Sequence, residues 1–383
     1  VALLGCSDES TARVDGGGND GAVDLITGDG GDGSGEDAAV ADSGVDAAVA
    51  DSGVDAAGQP SMTLLGSLGG GESAAFGLNN ERQVVGWALT ASARHAFVWD
   101  PTSQTMTDLG VLSGDEASTA RAINDDGLVV GTSEKNIVAG SGEWRGFSAR
   151  LDATPLTLTA LPDLGGQQSW PAAVNASGVI AGYALDPSGE VAVTWKDGVL
   201  TNIGKLSTAN RTRAYGINDA GLVVGWQYNA ASGQPNDAFS YENGIWTIIG
   251  GQAGPAQNAE AYAVNSSGVV AGFTSFPSGH WHAARWEQGK AVDCGVLPGD
   301  AFAELYAIND QGLAVGRSYN ADNTQSRAVL CKGTTLIDLD AQAPKQAGAV
   351  VWEARGINDH GDIVGTVKLD GKWQAFLLRG FVP

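Results

Sequence analysis

Residues 120–131, ARAINDDGLVVG, decide the fold because the chain repeats their pattern. An aliphatic residue, an asparagine and, seven positions further on, a glycine recur at Asn79, Asn124, Asn175, Asn218, Asn265, Asn309 and Asn358, spaced by 45, 51, 43, 47, 44 and 49 residues. Seven copies at that period belong to blade-type repeats. Each copy reads as four short strands. The first runs into the asparagine, and the second is the aliphatic pair and glycine, as in Val129, Val130 and Gly131. The third is like His95-Ala96-Phe97-Val98-Trp99 and the fourth like Met106 to Gly110.

The turns agree with the strands. Three residues after the asparagine stands a glycine in six copies (Gly127, Gly178, Gly221, Gly268, Gly312, Gly361), where a turn ending in a left-handed residue wants one. The first copy has Arg82 there, which predicts a strained or remodelled turn. Pairs such as Asp197-Gly198, Asn243-Gly244, Gln288-Gly289 and Lys332-Gly333 mark tight hairpins between strands three and four. The seventh copy ends after its third strand, whereas residues 62–66 form a fourth-type strand with no blade before it. The spare strand matches the missing one, so the sequence predicts a seven-bladed β-propeller over 61–383 whose N-terminal strand closes the last blade.

Charge divides the chain. It has 383 residues with 44 acids and 21 bases, a formal charge of −23 that offers no cationic surface for nucleic acid. Residues 1–60 hold 13 of the acids and a single base, Arg13, with no aromatic residue, and the unit DAAVADSGV occurs twice, at 37–45 and 46–54. Such a tract cannot bury enough apolar surface to order itself, so 6–60 is expected to be a disordered, self-repelling spacer.

Two resemblances follow. Leu3-Leu4-Gly5-Cys6 resembles the lipobox of bacterial lipoproteins, which implies residual signal peptide at 1–5, lipid on Cys6, and a membrane partner through that anchor. Ser7 after the cysteine then implies an outer membrane or cell-surface location in the bacterial envelope. The repeats themselves resemble the extracellular HAF-type repeats, named for the His-Ala-Phe seen here at His95, Ala96 and Phe97 and degenerate at Gly146-Phe147, Ala238-Phe239 and Ala375-Phe376. That family brings no catalytic residues with it.

A ligand site is sought where the frame varies. Two residues before each asparagine stands Gly or Ala, as the crowded inner strand of a wedge-shaped blade demands, so the first strand is placed at the axis. Five before the asparagine the residues are Ala74, Thr119, Trp170, Arg213, Glu260, Glu304 and Glu353, expected at the channel mouth as either a binding ring or solvated, ion-paired strand ends. The connection from strand two to strand three in the second copy, Thr132 to Arg145, adds Trp144, and that of the fifth adds Phe276, His280 and Trp281. His95 and His282 share one repeat position and read as frame residues. His280 and His282 could face one side as metal ligands, but no third ligand is evident, and no cofactor is expected. Trp99, Trp195 and Trp286 recur at one place in strand three and read as blade core. Cys294 and Cys331 occupy apolar positions in different blades and are expected to be two free buried thiols, with a disulfide as the alternative.

The expected function is a surface-tethered, monomeric binding or scaffolding propeller that recognises a small ligand, glycan or protein. The alternative is a polysaccharide lyase or glycosidase working with the carboxylates of Glu260, Glu304 and Glu353.

Overall fold

A computed structural model describes residues 60–135, 142–205, 211–228, 236–250, 258–276 and 280–381. Seven four-stranded antiparallel sheets are arranged as a seven-bladed β-propeller. The innermost strands are Ser73–Leu78, Ala117–Ile123, Ser169–Val174, Arg211–Ile217, Ala259–Val264, Phe302–Ile308 and Val350–Ile357, and each contacts the innermost strands on either side of it. The last blade is completed by the strand Ser61–Leu64, which pairs antiparallel with Lys372–Arg379 in the register Ser61↔Arg379 to Leu64↔Phe376. The ring closes without a free inner seam, as the strand count predicts. A four-residue helix, Leu339–Gln342, capped by Asp338, interrupts the all-β pattern after blade six, and no helical period announces it. Among the described residues no helix is long and apolar enough to cross a membrane. Cys6 and the tract 6–59 lie outside the described residues.

Glycine explains how the blades pack so closely. A Cβ on the second-strand glycines Gly86, Gly131, Gly182, Gly225, Gly272, Gly316 and Gly365 would fall 1.8–2.1 Å from the carbonyl oxygen of the inner-strand residue five before the asparagine. No side chain fits there. Arg82 takes the left-handed conformation (φ 62°) of the glycines at its position and keeps the same turn, its amide donating to the Asn79 carbonyl at 3.1 Å. The first turn is thus strained, not remodelled, and the Arg82 Nε meets Asp362 Oδ2 at 2.7 Å.

The core lies between blades as much as within them. Trp99, Trp195 and Trp286 are buried in it, as their repeat position suggests. One cluster takes Ala271, Ala283, Cys294 and Leu297 from blade five with Leu305, Val329 and Cys331 from blade six. This corrects the reading of two free thiols: Cys294 and Cys331, with Cα atoms 6.1 Å apart, are joined as a disulfide. Membership of different blades argues against pairing only if each blade has its own core. Here adjacent blades share one, and the Cα separation suits a bridge.

Candidate functional site

The asparagines form a ring. Each Nδ2 donates to the backbone carbonyl of the corresponding asparagine in the next blade, Asn79 to Asn124, Asn124 to Asn175, and so on to Asn358, which donates to Asn79, at 3.0–3.2 Å. Each Oδ1 accepts the amide four residues later, as in Leu222 to Asn218 at 3.0 Å, so one side chain fixes both its own turn and its neighbour. All seven are buried.

Above this ring every inner strand carries a β-bulge. The pairing with the second strand skips one residue in all seven blades, between Ala75 and Gly77, Ala120 and Ala122, Pro171 and Ala173, Ala214 and Gly216, Ala261 and Ala263, Leu305 and Ala307, and Ala354 and Gly356. A bulge re-aims the unpaired side chain out of the ladder. The skipped residues, three before each asparagine, are Phe76, Arg121, Ala172, Tyr215, Tyr262, Tyr306 and Arg355. On the innermost strand they turn toward the axis and meet one another. At ~3.3 Å per residue the belt they form lies roughly 10 Å from the asparagine ring.

The belt closes on itself. The Arg121 guanidinium lies over Phe76 (5.1 Å) and over Trp170 (4.6 Å), Trp170 stacks on Tyr183 (5.9 Å), and Tyr183 meets Tyr215 edge-on (6.4 Å). Tyr215 meets Tyr262 (5.5 Å), Tyr262 meets Tyr306 (5.6 Å), and the Arg355 guanidinium lies 3.9 Å over Tyr306 and 5.9 Å over Phe76. In blade three the small Ala172 leaves its place to Trp170 and Tyr183. Except for Phe76, these side chains are half-buried or, for Tyr183, at the edge of burial.

The residues five before the asparagine sit beside this belt, not on an open rim. Thr119, Arg213, Glu260, Glu304 and Glu353 are all buried. Arg213 makes a two-pronged ion pair with Glu190, at 2.8 and 2.9 Å. Glu304 accepts from the Tyr319 hydroxyl at 2.5 Å, and Arg317 lies 3.7 Å away. Glu353 pairs with Arg355 at 2.7 Å; burial opposes both charges, yet their attraction holds Glu353 below the usual carboxylate range and Arg355 above its own. Glu260 differs. It accepts from Asn236 Nδ2 at 2.6 Å and the Tyr262 hydroxyl at 2.8 Å, and burial, with Glu304 nearby, pushes its carboxyl up to about 7. Burial also raises the Tyr215 and Tyr262 hydroxyls, keeping them as neutral donors.

Trp144 and Trp281 are not on loops. Strands two and three of blade two extend further than the repeat suggests, and Trp144 pairs with Glu134 while its ring meets Trp170 at 5.9 Å. Trp281 pairs with Ser275, stacks on Phe302 at 4.3 Å, and donates to the Tyr319 hydroxyl at 3.1 Å. Of the expected ring, the fold therefore brings together Trp144 with Trp170, and Trp281 with Glu304 through Tyr319. His95 and His282 each bond an aspartate on the outer strand, Asp108 and Asp293, which is the work of frame residues, and His280 packs against Phe302. Among the described residues no three His, Cys, Asp or Glu side chains converge as metal ligands. A shallow groove on the turn face, lined by Arg285, Lys332, Asp359 and His360, touches none of the belt residues.

No family model matches the chain, and no curated protein does. Solved structures match in fold. An oligogalacturonate lyase from Vibrio parahaemolyticus is 10% identical with a TM-score of 0.55, covering 85% of this chain and 95% of the lyase. An oligogalacturonate lyase in complex with manganese is 11% identical with the same score, covering 85% and 94%. A puromycin hydrolase, 13% identical at a TM-score of 0.55, is covered over 78% of this chain but only 50% of its own, so this chain spans about half the hydrolase's length. At such identities the likeness is one of fold alone.

Proposed function

We propose that the protein is a binding propeller, tethered to the bacterial envelope through lipid on Cys6, whose ligand enters the axial channel and is held at the belt. The observation that carries this reading is the belt itself. Seven bulges aim seven positions at one place, and six of them carry a tyrosine, a phenylalanine or an arginine, while Trp170 and Tyr183 fill the place left by Ala172, so aromatic faces, hydroxyls and guanidinium groups are concentrated at the axis. Aromatic faces with hydroxyl and guanidinium edges suit a small ring-shaped ligand such as a sugar. The site lies two residues further along the inner strand than the sequence suggests.

Screening the full chain against glycans and small organic acids tests it. Tyr262→Ala is expected to weaken any ligand found by about tenfold or more, and undiminished binding in both Tyr262→Ala and Tyr306→Ala would remove the belt from consideration. The tether is tested apart from the ligand: Cys6→Ser should move the protein from the membrane to the soluble fraction of the producing cell.

A catalytic reading, a lyase or glycosidase, draws on one observation, the Glu260 carboxyl held near 7, where a general acid works well. Turnover of an acidic or neutral polysaccharide that disappears in Glu260→Gln would favour it over simple binding.

A further inference from the structure

The belt has two unlike halves. Tyr215, Tyr262 and Tyr306 occupy one arc, near Glu260 and Glu304; Arg355, Phe76 and Arg121 occupy the other. Each other arginine in this inner region has a carboxylate: Arg213 has Glu190, Arg317 has Glu304, Arg355 has Glu353. Arg121 has none. Among the described residues its guanidinium makes no hydrogen bond or ion pair, its Nε is buried without an acceptor, and its only contacts of note are the faces of Phe76 and Trp170. Glu134, the carboxylate whose charge is felt at Arg121, is paired with Arg94. Nor can a neighbouring loop supply one, because the internal segments outside the described residues, 136–141, 206–210, 229–235, 251–257 and 277–279, contain no Asp or Glu.

Holding a cation there is costly. Burial, with Arg355 nearby, pushes the Arg121 guanidinium down to about 10, in a protein whose net charge is −23. A shielded charge without a partner destabilises the fold that keeps it. Stacking between two rings recovers part of that cost and fixes the plane of the guanidinium, which leaves its in-plane N–H groups to be met by a planar acceptor.

We propose that Arg121 is an anion subsite within the belt and takes the carboxylate of a ligand whose ring-shaped body stacks on the tyrosine arc. This rests on the belt being a binding site and adds the ligand's chemical class: an acidic sugar or an aromatic acid, the two sources of a carboxylate carried on a ring. Trp170, stacked on the guanidinium, is a built-in reporter.

The experiment titrates the full chain with a glucuronate-containing disaccharide, its methyl ester, benzoate and inorganic phosphate, following tryptophan fluorescence and calorimetry. The disaccharide or benzoate is expected to bind, and the arm that does identifies the source. The ester should bind at least tenfold more weakly than the disaccharide, and Arg121→Gln should reduce acid binding by about 10- to 100-fold. Arg121→Met, of similar volume and without charge, gives the same reading should the glutamine variant fold poorly, and its melting temperature without ligand should equal or exceed that of the parent. Equal binding of acid and ester, or acid binding unchanged in both Arg121 variants, overturns the subsite while leaving the belt standing. Acid binding lost in the Arg121 variants but untouched by both Tyr262→Ala and Tyr306→Ala keeps the anion subsite and overturns the tyrosine arc as the place where the ligand's ring stacks. Phosphate bound alone, or no probe bound, overturns the proposal. So does binding that appears only once the five aspartates from Asp37 to Asp55 are changed to Asn, since the chain's own tract would then be the occupant.

Discussion

At the scale of single residues, a period-two reading of the inner strand misses the bulge that brings the belt side chains together. Glu260, Glu304 and Glu353 stand out because they vary on a conserved-looking internal frame, and the sequence shows three carboxylates in successive blades. What it cannot show is that the strand bulges between them and the asparagine, so that Tyr262 and not Glu260 turns to the axis. A clue lies in the column three before the asparagine, where Tyr, Phe or Arg stands in six copies between two columns built mostly of Ala and Gly. Glu260 keeps a measurable role. Its folded-state value near 7 lies above the ordinary 4.5, so between those values the folded chain holds a proton that the unfolded chain has released. The stability contributed by this group is complete below pH 4.5 and is lost as the pH rises through 7. Glu260→Gln should therefore stabilise by up to about 3 kcal/mol at pH 8 and by little at pH 4.5, as read by urea unfolding at both. An equal effect at the two pH values would refute the assignment.

Among the elements, the second-strand glycine is the constraint that makes each blade. At Gly316 a Cβ would stand 1.8 Å from the Glu304 carbonyl oxygen, and both atoms belong to backbone that cannot yield without opening the strand pair. Gly316→Ala should cost at least about 3 kcal/mol or prevent folding, seen as loss of the cooperative thermal transition. Three of the four hairpins behave as their sequences predict; at the fourth, Lys332 stays in its strand, paired with Thr335, and the turn is Gly333-Thr334. Asp197, Asn243 and Gln288 all adopt left-handed φ near 51°, each followed by a left-handed glycine, the geometry that two-residue β-turns require. Strand length is less legible. Trp144 and Trp281 lie on strands because pairing continues past the core, where backbone hydrogen bonds and aromatic stacking, not apolar alternation, hold the register.

Over the whole molecule, closure depends on devices that join blades. The asparagine ring is one. Asn218→Ala removes a buried bond to the Asn265 carbonyl, which keeps its bond from the Gly268 amide, and a part-buried bond in its own turn, which leaves the Leu222 amide without that acceptor; a loss of about 1–3 kcal/mol in unfolding free energy is expected. The bridge between blades five and six is another. It spans 37 residues of sequence, and in the loop-entropy account such a link stabilises by about 3–4 kcal/mol. Cys331→Ser should lower the melting temperature accordingly, and a reductant should lower that of the parent but not of the variant; insensitivity of the parent to reduction under denaturing conditions would contradict the pairing.

Fold, blade number and closing strand follow from sequence alone, because they are written in local period, turn residues and a count of strands that either balances or does not. The tertiary structure decided what is shared between copies far apart in the chain: the disulfide, the asparagine ring, and which side chains meet at the axis. Those depend on how neighbouring wedges pack and where a bulge falls, and both are set by contacts between copies far apart in the chain, which the local period of one strand does not record.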